Sequence, residues 1–181
     1  MEIILEQIKN ILILDHNYFQ IVSLSLYVSL IATILSAIFS IIVSSYIASN
    51  EFYGKSLIII IVNTLMSLPP VVVGLILYLI FSASGMLGFM DILYSPTIMI
   101  IAQFIIVTPI IISLATKILS DNYKLLHEYL NSLNATSLVI RQTIVYESRF
   151  SLLIVVITGL SRALSEVGAV IIVGGNIENL T

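Results

Sequence analysis

Four long apolar stretches divide the sequence, and most of their length carries no charged residue. The uncharged windows cover residues 17–50, 56–90 and 92–116, and a fourth window, 150–175, is interrupted only by Arg162 and Glu166. A helix needs about 20 apolar residues to cross the hydrocarbon core of a bilayer. The pattern therefore predicts membrane-spanning helices near 20–49, 56–81, 92–116 and 150–173, with one polar loop at 117–149.

Composition supports a membrane protein. Apolar residues make up 59% of the 181 positions and charged residues only 9%, whereas about a quarter would be charged in a soluble domain. The predicted fold class is an all-α polytopic membrane helix bundle in one domain, 1–181. The absence of cysteine excludes disulfides and thiolate metal sites, and two histidines are too few for a histidine cluster.

The segment before the first span is acidic, with Glu2 and Glu6, and does not resemble a cleaved signal peptide. Apolar residues at positions 4, 5, 8, 11 and 12 fit a short amphipathic helix lying on the membrane surface. A simple leader into the first span fits this periodicity equally well.

Lys and Arg predict the orientation of the spans. Basic residues between spans lie on one side, whereas the opposite loops contain Asp91 and Glu178 without a basic residue. By the positive-inside rule, the N-terminus is outside and residues 117–149 are cytoplasmic. The basic residues on the predicted cytoplasmic side are Lys55, Lys117, Lys124, Arg141 and Arg149.

Small residues recur every four positions in the first span, which predicts a surface that another helix can approach closely. The alternative is that the row reflects the ordinary composition of membrane helices. Its members are Ala32, Ser36, Ser40, Ser44 and Ala48.

Pro69 and Pro70 interrupt the second span within "NTLMSLPPVVVGLILYLIF". Two prolines remove two backbone donors, so carbonyl groups near Leu65 and Met66 are expected to lose their partners. Irregular backbone at membrane depth must face protein or water. The segment therefore either lines a pathway or forms a kink that helps the helices to pack.

The polar loop contains "LLHEYLNSLNATSLVIRQTIVYESRF", residues 125–150. Its apolar spacing predicts two short amphipathic helices joined around Asn134 and Ala135. Such a loop either packs against its own bundle or presents a helix to a soluble partner.

This loop resembles the Glu-Ala-Ala loop of permease subunits of ABC-type importers. Glu128, Leu133 and Ala135 match the family pattern, whereas Tyr129 and Leu130 replace its alanines. Asn134 replaces the family glycine, and asparagine tolerates the left-handed conformation that such a turn needs.

Two further segments carry the resemblance more fully. "NTLMSLPPVVVGLILYLIFSASGMLG", residues 63–88, and "SRALSEVGAVIIVGGNI", residues 161–177, are similar to segments of tungstate and molybdate permeases, with the tungstate branch closer. The resemblance implies a type I permease fold of five spans, of which four are present. The sequence stops at the end of "GGNIENLT", where the family would continue into a further span, so the chain is expected either to be truncated or to have four spans where its relatives have five.

The resemblance also implies the partners. The permease would be a homodimer in the plasma (cytoplasmic) membrane, and an external binding protein would deliver tungstate or molybdate. Separate cytoplasmic subunits would bind ATP and Mg²⁺, with no cofactor in this chain. The loop would dock on those ATPase subunits through Glu128, Leu133, Asn134, Ala135 and Ser137.

Arg162 and Glu166 are four residues apart and can pair on one helix face, which makes two opposite charges tolerable at membrane depth. The pair either holds helices together and gates them, or shapes an oxyanion pathway. Gly174, Gly175 and Asn176 form either an outer gate or only a loop.

Other functions find little support. "GKS" at 54–56 lacks the upstream glycine of a phosphate-binding loop, because position 49 is serine. No catalytic residues, metal-ligand cluster or nucleic-acid-binding basic patch stand out. The remaining alternative is a stand-alone secondary transporter or channel that uses the Arg162 and Glu166 pair, followed by a membrane-embedded enzyme.

Overall fold

The computed structural model describes residues 16–175, so the predicted amphipathic segment 1–14 and Asn176 lie outside the described residues. Within that range the chain forms helices and connecting turns, as predicted for an all-α membrane bundle. The helices are α1 (His16–Ser49), α2 (Lys55–Met66), α3 (Pro70–Phe81), a 3₁₀ turn (Gly88–Met90), α4 (Pro96–Ser132), α5 (Ser137–Glu147), α6 (Arg149–Ser165) and α7 (Gly168–Gly174).

A ladder of serine hydroxyl groups joins α1 to α4. Three serines of the predicted small-residue row are fully buried, and each donates a hydrogen bond to a backbone carbonyl group 68 residues further along the chain. The predicted packing surface is thus confirmed, and the constant offset means that the two helices run parallel. The pairs are Ser36 with Phe104 at 3.4 Å, Ser40 with Thr108 at 3.3 Å and Ser44 with Ile112 at 3.2 Å.

The parallel arrangement determines the path of the rest of the chain. Since α1 and α4 run in the same direction, α2 and α3 must carry the chain back between them. α6 runs antiparallel to α4, because Gln103 bonds the carbonyl group of Ala163 near one end and Asn122 bonds Ser148 near the other. The chain therefore makes four passes of alternating direction, with three reversals.

Two predicted spans are not continuous helices. By length and hydropathy, α1 and α4 can each cross a membrane alone, whereas α2 with α3 and α5 with α6 pass only as bent pairs, with bends of 95° and 66°. The single helix predicted for 56–81 breaks before Pro70, and the one predicted for 150–173 breaks after Ser165. The break before Pro70 agrees with the interruption predicted from the two prolines, whereas the continuous helix predicted for 150–173 was wrong because apolarity alone does not report backbone breaks.

The predicted loop 117–149 is helical on both sides of Asn134 and Ala135, as predicted, but its first helix is a continuation of α4 and not a separate short helix. α4 continues through it as far as Ser132, and α5 follows after a short turn. The inner side chains of this extension, including Leu126 and Leu130, pack against a buried cluster that contains Leu119 and Ile144. Burial of this apolar stripe keeps the segment helical beyond the apolar window.

Asn134 forms the turn between α4 and α5. It has a φ of 54°, in the left-handed region, as predicted for a residue that replaces glycine. The N–H group of Asn134 bonds the carbonyl group of Asn131, and that of Ala135 bonds the carbonyl group of Leu130. These two bonds are the Schellman pattern, which satisfies carbonyl groups at the end of a helix.

We expect Ser40→Leu to disrupt the α1–α4 pair far more than Ser40→Ala. The alanine variant loses one interhelical hydrogen bond, worth about 0.6 kcal/mol in membrane bundles. Leucine must also separate two tightly packed backbones, at a cost of about 2–3 kcal/mol. The loss of stability in both variants is measured by thermal unfolding of the detergent-purified protein. The control is Ser23→Leu, a change at an exposed position of the same helix. Equal effects of Ser40→Leu and Ser23→Leu would contradict close packing at Ser40.

Candidate functional site at two helix breaks

The first break lies between α2 and α3. Pro70 occupies the first turn of α3, and Pro69 before it has extended backbone, with a ψ of 125°, as expected for a residue that precedes proline. The carbonyl group of Leu65, predicted to lose its partner, instead accepts from the N–H group of Leu68 at 3.1 Å. The helix end therefore tightens into a turn and leaves Leu65 satisfied.

The second break is centred on Glu166, between α6 and α7. Glu166 is buried and has extended backbone, so it ends α6 rather than lying within a helix as predicted. Its Oε2 lies 3.4 Å from Nη2 of Arg162, which confirms the predicted ion pair. Its Oε1 accepts a 3.4 Å hydrogen bond from the N–H group of Ala169 at the start of α7. One carboxylate thus joins the two helices across the break.

The two breaks come together in the bundle. A Cβ atom added to Gly74 of α3 would lie 3.0 Å from the Cα atom of Ala169, and one added to Gly168 would lie 3.1 Å from the side chain of Val71. The starts of α3 and α7 therefore pack closely, backbone against backbone. Pro69 and Pro70 are brought near Glu166 by this contact.

Gln103 of α4 is a polar residue of this region that the sequence analysis missed. Its Nε2 donates to Oγ of Ser29 and to the carbonyl group of Ala163, each at 3.2 Å. Gln103 and Glu166 both line a cavity of about 170 Å³ between α1, α4 and the second break. The available signal was that Gln103 is the one amide side chain in the uncharged window 92–116 of the sequence.

Gly174 and Gly175 pack against the start of α4 and not against the ion pair. A Cβ atom on Gly174 would collide with Met99, and one on Gly175 would lie 2.6 Å from the ring of Tyr94. Gly175 has a φ of 64°, which glycine adopts without strain. The N–H group of Tyr94 bonds the carbonyl group of Val173 at 3.0 Å. These glycines close the end of the bundle opposite the α4–α5 turn.

The residues predicted to dock on an ATPase are grouped at the α4–α5 turn. Glu128 and Leu133 are exposed, Asn134 forms the turn, and Ser137 is the first residue of α5. Ala135 faces inward and packs against the core. The sequence-predicted residues thus form two separate groups, one at the helix breaks and one at this turn.

Known proteins similar to this chain are anion permeases. The chain is 39% identical over 167 residues to a tungstate uptake system permease of Peptoclostridium acidaminophilum, an alignment that covers 92% of this chain and 73% of the relative. It is 37% identical over 157 residues to a probable anion ABC transporter permease of Haloferax volcanii, which covers 87% of this chain and 68% of the relative.

A sulfate transport system permease of Synechocystis is more distant, at 26% identity over 92% of this chain and 63% of the relative. No protein-family model matches the chain. The identity to the tungstate and anion permeases extends over most of this sequence, and the apolar helices agree with a multi-pass membrane protein. The chain therefore belongs to the permease subunits of ABC-type anion transporters.

Proposed function

We propose that this permease imports tungstate, with molybdate as the second candidate, in a complex driven by a separate ATPase. An external binding protein delivers the oxyanion to a homodimer of the permease in the plasma membrane, and ATP with Mg²⁺ binds to the partner subunit. The tungstate uptake permease at 39% identity supports this choice of substrate.

The observation that carries the proposal is an apolar surface at the cytoplasmic end of α4. Leu125, Tyr129 and Leu133 recur every four residues, and each exposes more than 60% of its area. This spacing places them on one helix face, while Leu126 and Leu130 turn inward to the core. An exposed apolar helix face of this kind fits a groove on a partner protein, here the ATPase.

The orientation rests on the positions of the basic residues. Arg141 of α5 donates to Oγ of Ser49 at the end of α1, so the α1 end and the α5 segment lie together. All described Lys and Arg residues except Arg162 lie at this end of the bundle. The positive-inside rule then assigns this end to the cytoplasm and the N-terminus to the outside.

α4 provides a mechanical connection between the ATPase and the helix breaks. Its 37 residues form one helix of about 55 Å at 1.5 Å per residue. One end carries the proposed docking surface, and the other carries Gln103 beside Glu166. A displacement imposed by ATP binding at the docking surface is therefore transmitted to the two breaks, which form the gate.

Removal of the gene is expected to lower cellular tungsten selectively when external tungstate is scarce. Elemental mass spectrometry of cells with and without the coding sequence measures tungsten and molybdenum together, and re-expression of the gene provides the control. An unchanged content of both elements would contradict oxyanion import.

Glu128→Gln together with Leu133→Ala is expected to uncouple ATP hydrolysis from uptake. Loss of contacts at the centre of a docking surface weakens association by about tenfold, and uptake should fall accordingly. Tungstate-stimulated ATP hydrolysis by the reconstituted complex is the measurement. Glu147→Gln, an exposed change at the far end of α5, serves as control. Intact coupling in the double variant would exclude this docking surface.

Glu166→Gln is expected to impair transport more than the double change Arg162→Gln with Glu166→Gln. Glutamine keeps an acceptor for Ala169 but leaves Arg162 without its counter-charge, at a cost of about 1–2 kcal/mol. The double variant removes both charges and should recover stability and part of the uptake. Complete loss of uptake in a stable double variant would instead show that Arg162 contacts the anion.

A further inference from the structure

A second polar cavity lies between α2 and α4, beside the end of α2 that leads into the first break. It has a volume of about 270 Å³ and is partly open to the surface. Aliphatic side chains form much of its wall. Its polar residues are Asn63 of α2 and Ser113, Thr116, Lys117 and Ser120 of α4.

These polar residues lie on one face of α4. Their positions follow the spacing i, i+3, i+4 and i+7, which aligns side chains along a helix. Ser113 donates its hydroxyl proton to Asn63, whereas the hydroxyl groups of Thr116 and Ser120 and the ammonium group of Lys117 can donate to a ligand. No carboxylate occurs among the described residues that line this cavity. The composition of the wall favours an anion.

Asn63 presents a donor to the same space. Its Oδ1 accepts a 2.6 Å hydrogen bond from Oγ of Ser113, which fixes the orientation of the amide. The amide nitrogen then remains available to donate. α2 and α4 thus both contribute donors to the cavity.

Thr116 has a hydroxyl group without a partner in the described part of the chain, although the residue is only 7% exposed. A threonine in a helix commonly donates to the carbonyl group four residues earlier, which here is that of Ile112. That carbonyl group already accepts from Ser44 through the serine ladder. A buried hydroxyl without a partner destabilises the fold, and a rotation of the Thr116 side chain towards the cavity would let a ligand satisfy it.

Lys117 provides the positive charge. It forms no ion pair with any residue in 16–175, including Asp121 one turn further along α4. A free ammonium group beside several hydroxyl donors can form charge-assisted hydrogen bonds to an anionic oxygen. Since a water molecule occupies about 30 Å³, the cavity holds an oxyanion together with several waters.

We propose that the α2–α4 cavity binds a free tetrahedral oxyanion through Lys117, Thr116 and Asn63. The position rests on the proposed function, because the cavity lies towards the cytoplasmic end and would hold the anion as it leaves the gate. A single lysine gives weak binding, which allows release, as a transport pathway requires.

Equilibrium dialysis of the purified full chain in phosphatidylcholine nanodiscs, with tungsten counted by elemental mass spectrometry, tests the site. Lys117→Gln is expected to weaken tungstate binding by about tenfold and Thr116→Val by several-fold. Matched controls are Lys124→Gln, exposed on the same helix, and Thr158→Val, whose hydroxyl bonds Ile154. Both control variants should bind tungstate with an affinity within about twofold of that of the wild type.

The outcomes separate this site from the proposed function. Binding that depends on Lys117 supports the site even if cells show no tungsten uptake, which would refute only the import function. Uptake without measurable binding, or equal binding by Lys117→Gln and Lys124→Gln, would overturn the site. Mass spectrometry of the lipid that stays bound to the purified protein tests whether a lipid headgroup phosphate, and not a free anion, occupies the cavity. Loss of a bound anionic lipid in Lys117→Gln alone would assign the cavity to lipid and overturn the free-anion proposal.

Discussion

The bundle depends on the contact between α1 and α4, where serine hydroxyl groups replace the hydrophobic driving force that lipid cannot supply. Lipid tails are as apolar as leucine, so helices associate through close packing and polar links. Ser36, Ser40 and Ser44 provide both, because they are small and each bonds a carbonyl group of α4. Each bond is weak, but three in constant register fix which face of α4 meets α1 and make the helices parallel.

The position of α4 in turn places the functional elements. Gln103 holds Ser29 of α1 and the carbonyl group of Ala163 of α6 together, which positions the break at Glu166. The ladder also occupies the carbonyl group of Ile112 and leaves the hydroxyl of Thr116 for another partner. One packing arrangement therefore connects the two helix breaks, the α2–α4 cavity and the α4–α5 turn.

The two helix breaks differ in their physical cause. At Pro69 and Pro70 the ring geometry prevents the helix from continuing, so the break is built into the local sequence. At Glu166 the backbone extends where the carboxylate bonds Arg162 on one side and the N–H group of Ala169 on the other. Close contact between Gly74 and Ala169 joins the two breaks. A break caused by proline rings thus lies beside a break held by an ion pair and a hydrogen bond.

The sequence alone determined the features that depend on local chemistry. Apolar windows identified the membrane helices, the four-residue serine row identified a packing surface, and the position of Asn134 indicated a left-handed turn. Arg162 and Glu166 were paired correctly because α6 stays helical as far as Ser165 and so keeps the two residues on one face. Tertiary structure decided what depends on contacts between distant residues. It broke α6 at Glu166, extended α4 to Ser132 over the buried cluster, and brought Gln103 to Glu166 and Asn63 to Ser113. Asn63 and Ser113 are 50 positions apart, and Gln103 and Ala163 are 60 positions apart. Hydrophobic periodicity reports which face of a helix is buried but not which residues cover that face.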